Sequence, residues 1–273
     1  MSSIVLSAGV RSNLLQLQQT SDLITQTQTR LATGKRVNSA LDNAINFFTA
    51  QGLDNRANDL SGLLDSMSNA INTIQAANNG ITAITKLVQS AQSLTSQANQ
   101  TTDTTVRATL SSQFDALLTQ IGQLATDAGF NGVNLLGGNN LTVVFDETGN
   151  SKTTVTGVDY TNANASPLSI NNAANNWAAA GDVSTATTQL SAALTSLRGE
   201  SQTLSASLST VQIRQDFTKS TINTLQTGSS DLTLADSNEE GANLLALQTR
   251  QQLSTTALSL ASQADQNVLR LFQ

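Results

Sequence analysis

The sequence predicts a mainly α chain: long helices with narrow aliphatic seams, interrupted once by a small β-hairpin. Three observations carry this. A single proline, Pro167, occurs in 273 residues, and proline is the residue that helix interiors exclude, because it lacks an N–H and collides with the preceding turn. Apolar residues recur at alternating steps of three and four over five separate stretches, the spacing of a coiled-coil stripe. Aromatic residues make up 3% of the chain and charged residues 12%, against about 25% charged in an average domain, so Leu and Ile must supply the packing.

The first helical stretch runs from about residue 6 to 33. Val10, Leu14, Leu17, Ile24 and Leu31 form its seam, with Ser21 and Gln28 in the remaining slots. The second covers about 43–100, with Leu60, Leu64, Met67, Ile71, Ile74, Ile81 and Val88 in one row and Asn78 and Thr85 in phase. A second row, Ile84, Leu87, Ala91, Leu94 and Ala98, is offset from it and widens the buried face. About 55 residues of helix would reach roughly 80 Å, the length of a rod. The third stretch, about 104–128, carries Leu110, Phe114, Leu117, Ile121, Leu124 and Ala128. The fourth, about 183–228, carries Leu190, Leu194, Leu197, Leu204, Leu208, Val211, Ile222 and Leu225. The fifth, about 239–272, has Leu253, Ala257, Leu260, Ala264, Val268 and Leu271 in one row and Leu244, Leu245, Leu247, Leu258, Ala261 and Leu269 on other faces. A helix that is apolar on more than one side must be buried on more than one side.

Between the third and fourth stretches the texture changes. Residues 129–142 are rich in Gly and Asn, residues 141–145 and 153–158 are β-branched, and residues 146–150 supply turn chemistry. That order reads as a β-hairpin. Residues 159–181, around Pro167, are expected to form a polar surface loop.

Composition excludes several function classes. With no Cys, thiolate nucleophiles, thiolate metal sites and disulfides are out. With no His, the commonest general base and transition-metal ligand are missing. The net charge is −6 and the largest basic cluster is Lys35-Arg36, too small for a nucleic-acid footprint. No run of about 18 apolar residues exists, so no membrane span is expected. The first residues lack a basic and apolar secretory signal, which leaves a cytoplasmic location or export without a cleaved signal.

Candidate sites are few. Asp146-Glu147 and Glu239-Glu240 are the adjacent acidic pairs. A catalytic pair needs a cleft and a raised pKa, whereas the first sits in a turn and the second at a helix start, where negative charge suits the dipole. Asn131-Gly132 and Gly137-Gly138 are not followed by Gly-Lys-Ser/Thr and read as turns rather than a phosphate loop. The terminal rows are different. Neither terminal helix is stable alone in water, and together they carry more apolar faces than one hairpin can cover. Intersubunit burial is therefore expected over residues 4–31 and 244–272, with Val10, Leu14, Leu17, Ile24, Leu31, Leu253, Leu260, Val268, Leu271 and Phe272 as interface residues. The rows of 60–94 and 190–225 are expected to pack within the chain.

Three segments carry a family resemblance. Residues 30–44 (Arg-Leu-Ala-Thr-Gly-Lys-Arg-Val-Asn-Ser-Ala-Leu-Asp-Asn-Ala) resemble the N-terminal signature of bacterial flagellins. Residues 130–136 (Phe-Asn-Gly-Val-Asn-Leu-Leu) resemble the segment that follows the first coiled-coil block. Residues 231–272 resemble the C-terminus, including Ala235-Asp236, Glu239-Glu240 and Leu-Gln-Thr-Arg-Gln-Gln-Leu at 247–253. The resemblance implies an elongated antiparallel coiled-coil bundle with N- and C-terminal helices paired, in a short form without large outer domains. On that pattern, residues 1–40 and 233–273 are the two halves of an inner domain, 41–138 and 182–232 the two parts of a rod domain, and 139–181 the insert.

The implied function is a non-enzymatic subunit that polymerises into the flagellar filament for motility, with a flagellin-like hook–filament junction protein as the nearest rival. A coiled-coil translocator or adaptor would instead form a discrete oligomer. Some flagellins carry an inserted zinc protease with His-Glu-x-x-His, which a chain without His excludes. No cofactor is implied. The implied partners are further copies and sibling flagellins, the type III export machinery, a secretion chaperone, and hook-associated and cap proteins, in a secreted, extracellular flagellum. The resemblance also makes Arg30, Lys35, Arg36, Asn38 and Asp42 an inter-domain spoke that touches neighbouring subunits. A plain reading of the same residues is a capped turn, with Gly34 ending one helix and Asn38, Ser39 or Asp42 starting the next. Finally, many flagellins present two Arg and a Glu on an exposed helix to an innate immune receptor. The similar stretch, 85–91, keeps one basic position in Lys86 and has Val88 and Gln89 where the second Arg and the Glu are expected, so weak or absent activation follows.

Overall fold

The computed structural model describes residues 8–271, without the side chains of residues 265 and 268–271. The described residues form helices α1 (Ala8–Thr33), α2 (Ala40–Gln100), α3 (Thr104–Asp127), α4 (Ala180–Thr233) and α5 (Ser237–Leu271), with strands β1 (Leu141–Val144) and β2 (Lys152–Val155) between α3 and α4. All five periodic stretches are helices. The chain divides into two compact units, residues 1–55 with 224–273, and residues 56–223.

In the unit of residues 56–223, the predicted rows are the core. Met67, Ile74, Ile84, Val88, Ala91 and Ala98 of α2 are buried with Phe114 and Ile121 of α3 and Leu190, Leu197, Leu204 and Val211 of α4. Polar rungs fix the antiparallel register of α2 and α4. Gln92 Nε2 donates to Ser191 Oγ at 3.4 Å, Ser201 Oγ to Asn78 Oδ1 at 3.0 Å, and Gln215 Nε2 to Ser68 Oγ at 2.9 Å. The in-phase polar slot at Asn78 is therefore filled by a hydrogen bond rather than left as a flaw. Asp103 caps α3, accepting from the backbone N–H of Thr105 at 2.8 Å. Arg107, buried, donates from Nε to Ala98 O at 3.0 Å and from a terminal nitrogen to Ala178 O at 3.3 Å, so it satisfies a carbonyl in the last turn of α2.

The hairpin pairs Leu141 with Val155 and Val143 with Thr153, antiparallel. Alternate residues Val143, Phe145 and Val155 point into the core, as a half-buried ribbon requires. Arg56 of α2 grips its turn through Glu147 at 2.7 Å, and Arg214 of α4 stacks over the Phe145 ring at 5.4 Å.

One expectation fails here. Residues 159–181 are not simply a polar surface loop: Tyr160, Ala163, Leu168, Ile170 and Trp177 are all buried. Trp177 packs on Phe114 with ring centroids 4.9 Å apart. To bring it inward the chain takes left-handed conformations at Asn175, Asn176 and Trp177, with φ of 47°, 51° and 57°. Burying the large indole offsets the local strain of three such residues in a row. The only Trp and the only Tyr of the chain are both spent on this segment.

In the unit of residues 1–55 and 224–273, α1 and α5 pack together. The two connectors beside them pair as backbone: Arg36 N–H donates to Thr233 O at 2.7 Å, and Ala235 N–H to Gly34 O at 3.0 Å. Gly34 ends α1 at φ +66°, the left-handed position expected of a glycine terminator. The helix that follows opens at Ala40, directly after Ser39, and is interrupted at Asn43, which is extended (φ −163°, ψ 100°); its Oδ1 accepts from Asn46 N–H at 3.0 Å, so Asn43 caps the long continuous part of α2. Asp42 instead organises the connector, accepting from Asn38 N–H at 3.0 Å and Ser39 N–H at 2.9 Å. These two bonds hold its carboxyl below the ordinary carboxylate range.

Candidate assembly surface

The α1–α5 pair has a mixed seam. The α1 residues turned toward α5 are Val10, Asn13, Leu17, Thr20, Ile24 and Thr27, of which Val10, Thr20 and Thr27 are buried. On α5 the facing row is Glu240, Leu244, Leu247, Gln251, Ser254 and Leu258. Half of these positions are polar. The expected seam of α1 is therefore right at Val10, Leu17 and Ile24 and out of phase between them. The slots are Thr20 and Thr27, not Ser21 and Gln28, and Leu14 and Leu31 lie outside it. Thr20 tolerates burial because its hydroxyl donates to Gln16 O at 2.8 Å within the same helix.

The leucines released from the seam face outward. Leu14, Leu15, Leu23 and Leu31 of α1 are 38–57% exposed, and Leu245, Leu253 and Leu260 of α5 are 62–68% exposed. At the start of α2, Leu41 is 99%, Ile45 79% and Phe48 61% exposed. The outward leucines of α1 and α5 together expose several hundred Å², roughly the size of the largest patch on an ordinary monomer, before the start of α2 is added.

Among the sequence-predicted interface residues, then, Leu14, Leu31, Leu253 and Leu260 are outward, Leu17 and Ile24 are half-buried between the helices, and Val10 is buried within the chain. Phe272 and the side chains of Val268 and Leu271 lie outside the described residues. Of the spoke residues, Lys35, Arg36 and Asp42 are exposed and Asn38 is half-buried. Arg30 turns to α5 and makes an ion pair with Glu240 at 3.1 Å, the Glu240 side chain being 8% exposed. Its Nε is buried without a hydrogen-bond partner, beside a groove of about 440 Å³ between α1 and α5 that Arg250 also lines.

The remaining candidates settle into local roles. Asp236 caps α5 through Asn238 N–H at 2.8 Å, with Glu239 and Glu240 in the first turn. Asp146 accepts from the Thr148 hydroxyl and from Ser151 N–H at 2.8 Å, which hold its carboxyl below its ordinary range, the opposite of what a general acid needs. Lys86 and Gln89 are exposed, but Val88 is fully buried, so Val88 does not occupy an arginine-like surface position. Among the described residues no cluster of His, Cys, Asp or Glu could hold a metal ion, and no helix is long and apolar enough to cross a membrane.

A helical chain whose terminal pair buries threonines and exposes leucines has the surface of an assembly subunit. The sequence comparisons say which kind. The bacterial flagellin N-terminal helical region matches residues 8–141 and the flagellin C-terminal helical region matches residues 185–272. Flagellin FljK of Caulobacter vibrioides is 32% identical over 100% of this chain and 99% of its own length. Flagellin FljM of the same organism is 32% identical with the same coverage. A flagellin of Brucella melitensis is 29% identical over the whole of both chains. The chain belongs to the bacterial flagellin family and is a structural filament subunit, not an enzyme.

Proposed function

We propose that this chain polymerises through the outward faces of α1 and α5 and the start of α2, stacking copies so that each covers the leucines of its neighbours. The observation that carries the reading is the exposed leucines beside a half-polar seam: Thr20, Thr27 and Glu240 are buried while Leu253 and Leu260 stand in solvent. Leu14, Leu31, Leu253, Leu260, Val268, Leu271 and Phe272 form the apolar interface in this reading, and Val10, Leu17 and Ile24 hold the helix that presents it. Lys35, Arg36, Asn38 and Asp42, with Leu41 and Ile45, form a spoke against the next copy. Arg30, paired with Glu240, ties α1 to α5 at the base of that spoke. Residues 1–40 and 233–273 act as the inner domain, 41–138 and 182–232 as the second domain, and 139–181 as its short β-hairpin and loop insert.

On the family pattern the chain leaves the cell through the flagellar export apparatus, escorted by a secretion chaperone. It is then added beneath a cap protein, beyond the hook-associated proteins, to an extracellular filament. The low aromatic content and the absence of Cys suit a chain that must be threaded unfolded. The direct test is removal of the last ~20 residues, which deletes the end of the α5 row and little core. The truncated chain is expected to stay soluble and helical and to form no filaments by negative-stain microscopy. Normal filaments from it would refute the proposal. Counting copies per filament separates this reading from a junction protein, which would be present in a few copies rather than along the whole length.

A further inference from the structure

Two Asn-Gly pairs occur in the chain, Asn79-Gly80 and Asn131-Gly132, and the fold treats them in opposite ways. We propose that Asn131 is a self-modifying site: it deamidates spontaneously in the folded protein, while Asn79 is held inert. The reaction needs no enzyme and no redox partner. The backbone nitrogen of Gly132, having lost its proton to base, attacks the side-chain carbonyl carbon of Asn131. A C–N bond forms, the C–NH2 bond breaks, and the amide leaves as ammonia. Water then opens the resulting five-membered imide at either carbonyl, giving aspartate or isoaspartate. The net change is one water consumed and one ammonia released.

The geometry at residues 130–133 leaves the attacking group and its target unobstructed. Phe130 and Val133 exchange backbone hydrogen bonds at 2.9 and 3.0 Å, and between them Asn131 (φ 48°) and Gly132 (φ 80°) form a two-residue turn with both central residues left-handed. Both residues are exposed. The N–H of Gly132 has no partner among the described residues, so it is free to lose its proton. A Cβ built on Gly132 meets nothing within 4 Å, so the space beside its α-carbon is open and the turn has room to adjust. Ring closure therefore requires only that two solvent-exposed residues adjust.

Asn79 is exposed too, so exposure of the asparagine is not what separates the pair. The difference lies in the backbone. Gly80 lies mid-helix in α2 and is buried, and a Cβ built on it would meet Leu136 Cδ1 at 2.7 Å and Ala128 Cβ at 2.8 Å. Its N–H is engaged with the carbonyl four residues back, and its neighbours leave no room to swing. Reaction there requires local opening of a core helix. The product matters at Asn131. Aspartate adds a negative charge, and isoaspartate inserts an extra backbone carbon into a turn that has room for two residues. The damage lies one turn from Asn134, whose side chain donates to Ala125 O at 2.9 Å and accepts from Leu136 N–H at 3.0 Å. A long-lived chain would thus accumulate a mark of its age at one surface turn.

The test is peptide mapping of the full-length protein aged at mildly alkaline pH, folded and in denaturant. Trypsin separates the two sites, since Arg56 and Lys86 bracket Asn79 while Arg107 and Lys152 bracket Asn131. In the folded protein, fragment spectra should place the amide-to-acid mass increase and an isoaspartate signal at Asn131. Asn79 should react at least about tenfold more slowly, the factor that ~1.4 kcal/mol of local opening would impose. In denaturant the two should react at similar rates. Equal rates at both sites in the folded protein would overturn the proposal, and so would an Asn131 that ages only when unfolded.

Discussion

Replacing Leu253 and Leu260 together by glutamine isolates the outward face of α5. Both side chains are about two-thirds exposed, at 67% and 62%, so the folded monomer gains little from them. Glutamine is nearly as good a helix former as leucine, and the helix itself should persist. Full burial of a leucine is worth about 1.5–3 kcal/mol, so covering the exposed two-thirds should contribute ~1–2 kcal/mol per residue when a neighbouring copy docks. The pair would then weaken each subunit addition by ~2–4 kcal/mol, raising the critical concentration for polymerisation roughly thirty- to seven-hundredfold. The assay is pelleting of polymer across a concentration series after seeding with filament fragments, alongside circular dichroism and thermal melts of both monomers. An unchanged critical concentration with an intact monomer fold would refute the assignment of this face. A monomer that melts earlier by the same free energy would show that the two leucines serve the isolated chain instead.

Other consequences can be checked independently. Gly157→Ala should destabilise by about 1–3 kcal/mol or more, because its Cβ would sit 2.0 Å from Asn139 O. Gly199→Ala, in helix α4 with nothing within 4 Å, should stabilise by roughly 0.5–1 kcal/mol; melts that rank the two variants the other way would contradict the packing. The single tyrosine, Tyr160, is pushed up to about 12 by burial and by the nearby Glu200 carboxylate. Its phenolate absorbance should therefore appear near pH 12 in the native protein and near its ordinary 10.0 in denaturant. Since the folded value is the higher one, Tyr160 costs stability as pH climbs from 10 toward 12. For Asp42 the shift is downward, so its stabilisation is present above the ordinary value of 3.8 and lost as pH falls through the lower folded value. Asp42→Asn should reduce the hydrogen-exchange protection of Asn38 and Ser39 near neutral pH and make no difference in strong acid. Purified monomer should also activate the innate flagellin receptor weakly or not at all, since residues 85–91 expose Lys86 and uncharged Gln89 and contain no Arg or Glu. Strong signalling in a reporter cell line would contradict this.

Much of this molecule is legible in its sequence because a 3.6-residue period with almost no proline leaves few alternatives to helix. The helix limits fall within a few residues of those expected, and the hairpin appears where β-branched runs flank a turn. The phase of α1 was not legible. Leucines mark the strongest apolar row, yet Thr20 and Thr27 share the seam with Leu17 and Ile24 while Leu14 and Leu31 turn outward. Periodicity identifies faces without saying which neighbour covers each. The cap of the long helix was missed for a local reason: Asp42 and Asn43 are both good caps, and backbone geometry alone chooses between them. Residues 159–181 misled most. Buried Tyr160, Leu168, Ile170 and Trp177 are spaced without period among Asn, Ala and Ser, so no pattern announces them. The available signal was compositional, since a chain with one Trp and one Tyr seldom leaves both in solvent.

The central claim is that the outward leucines of the terminal helices are covered by other copies of the chain. Electron cryomicroscopy of assembled filaments, at a resolution that shows side chains, tests it most directly. The account predicts Leu14, Leu31, Leu253 and Leu260 packed against α1 or α5 of neighbouring copies. Filaments in which these four side chains face water, with copies joined solely through residues 56–223, would contradict it.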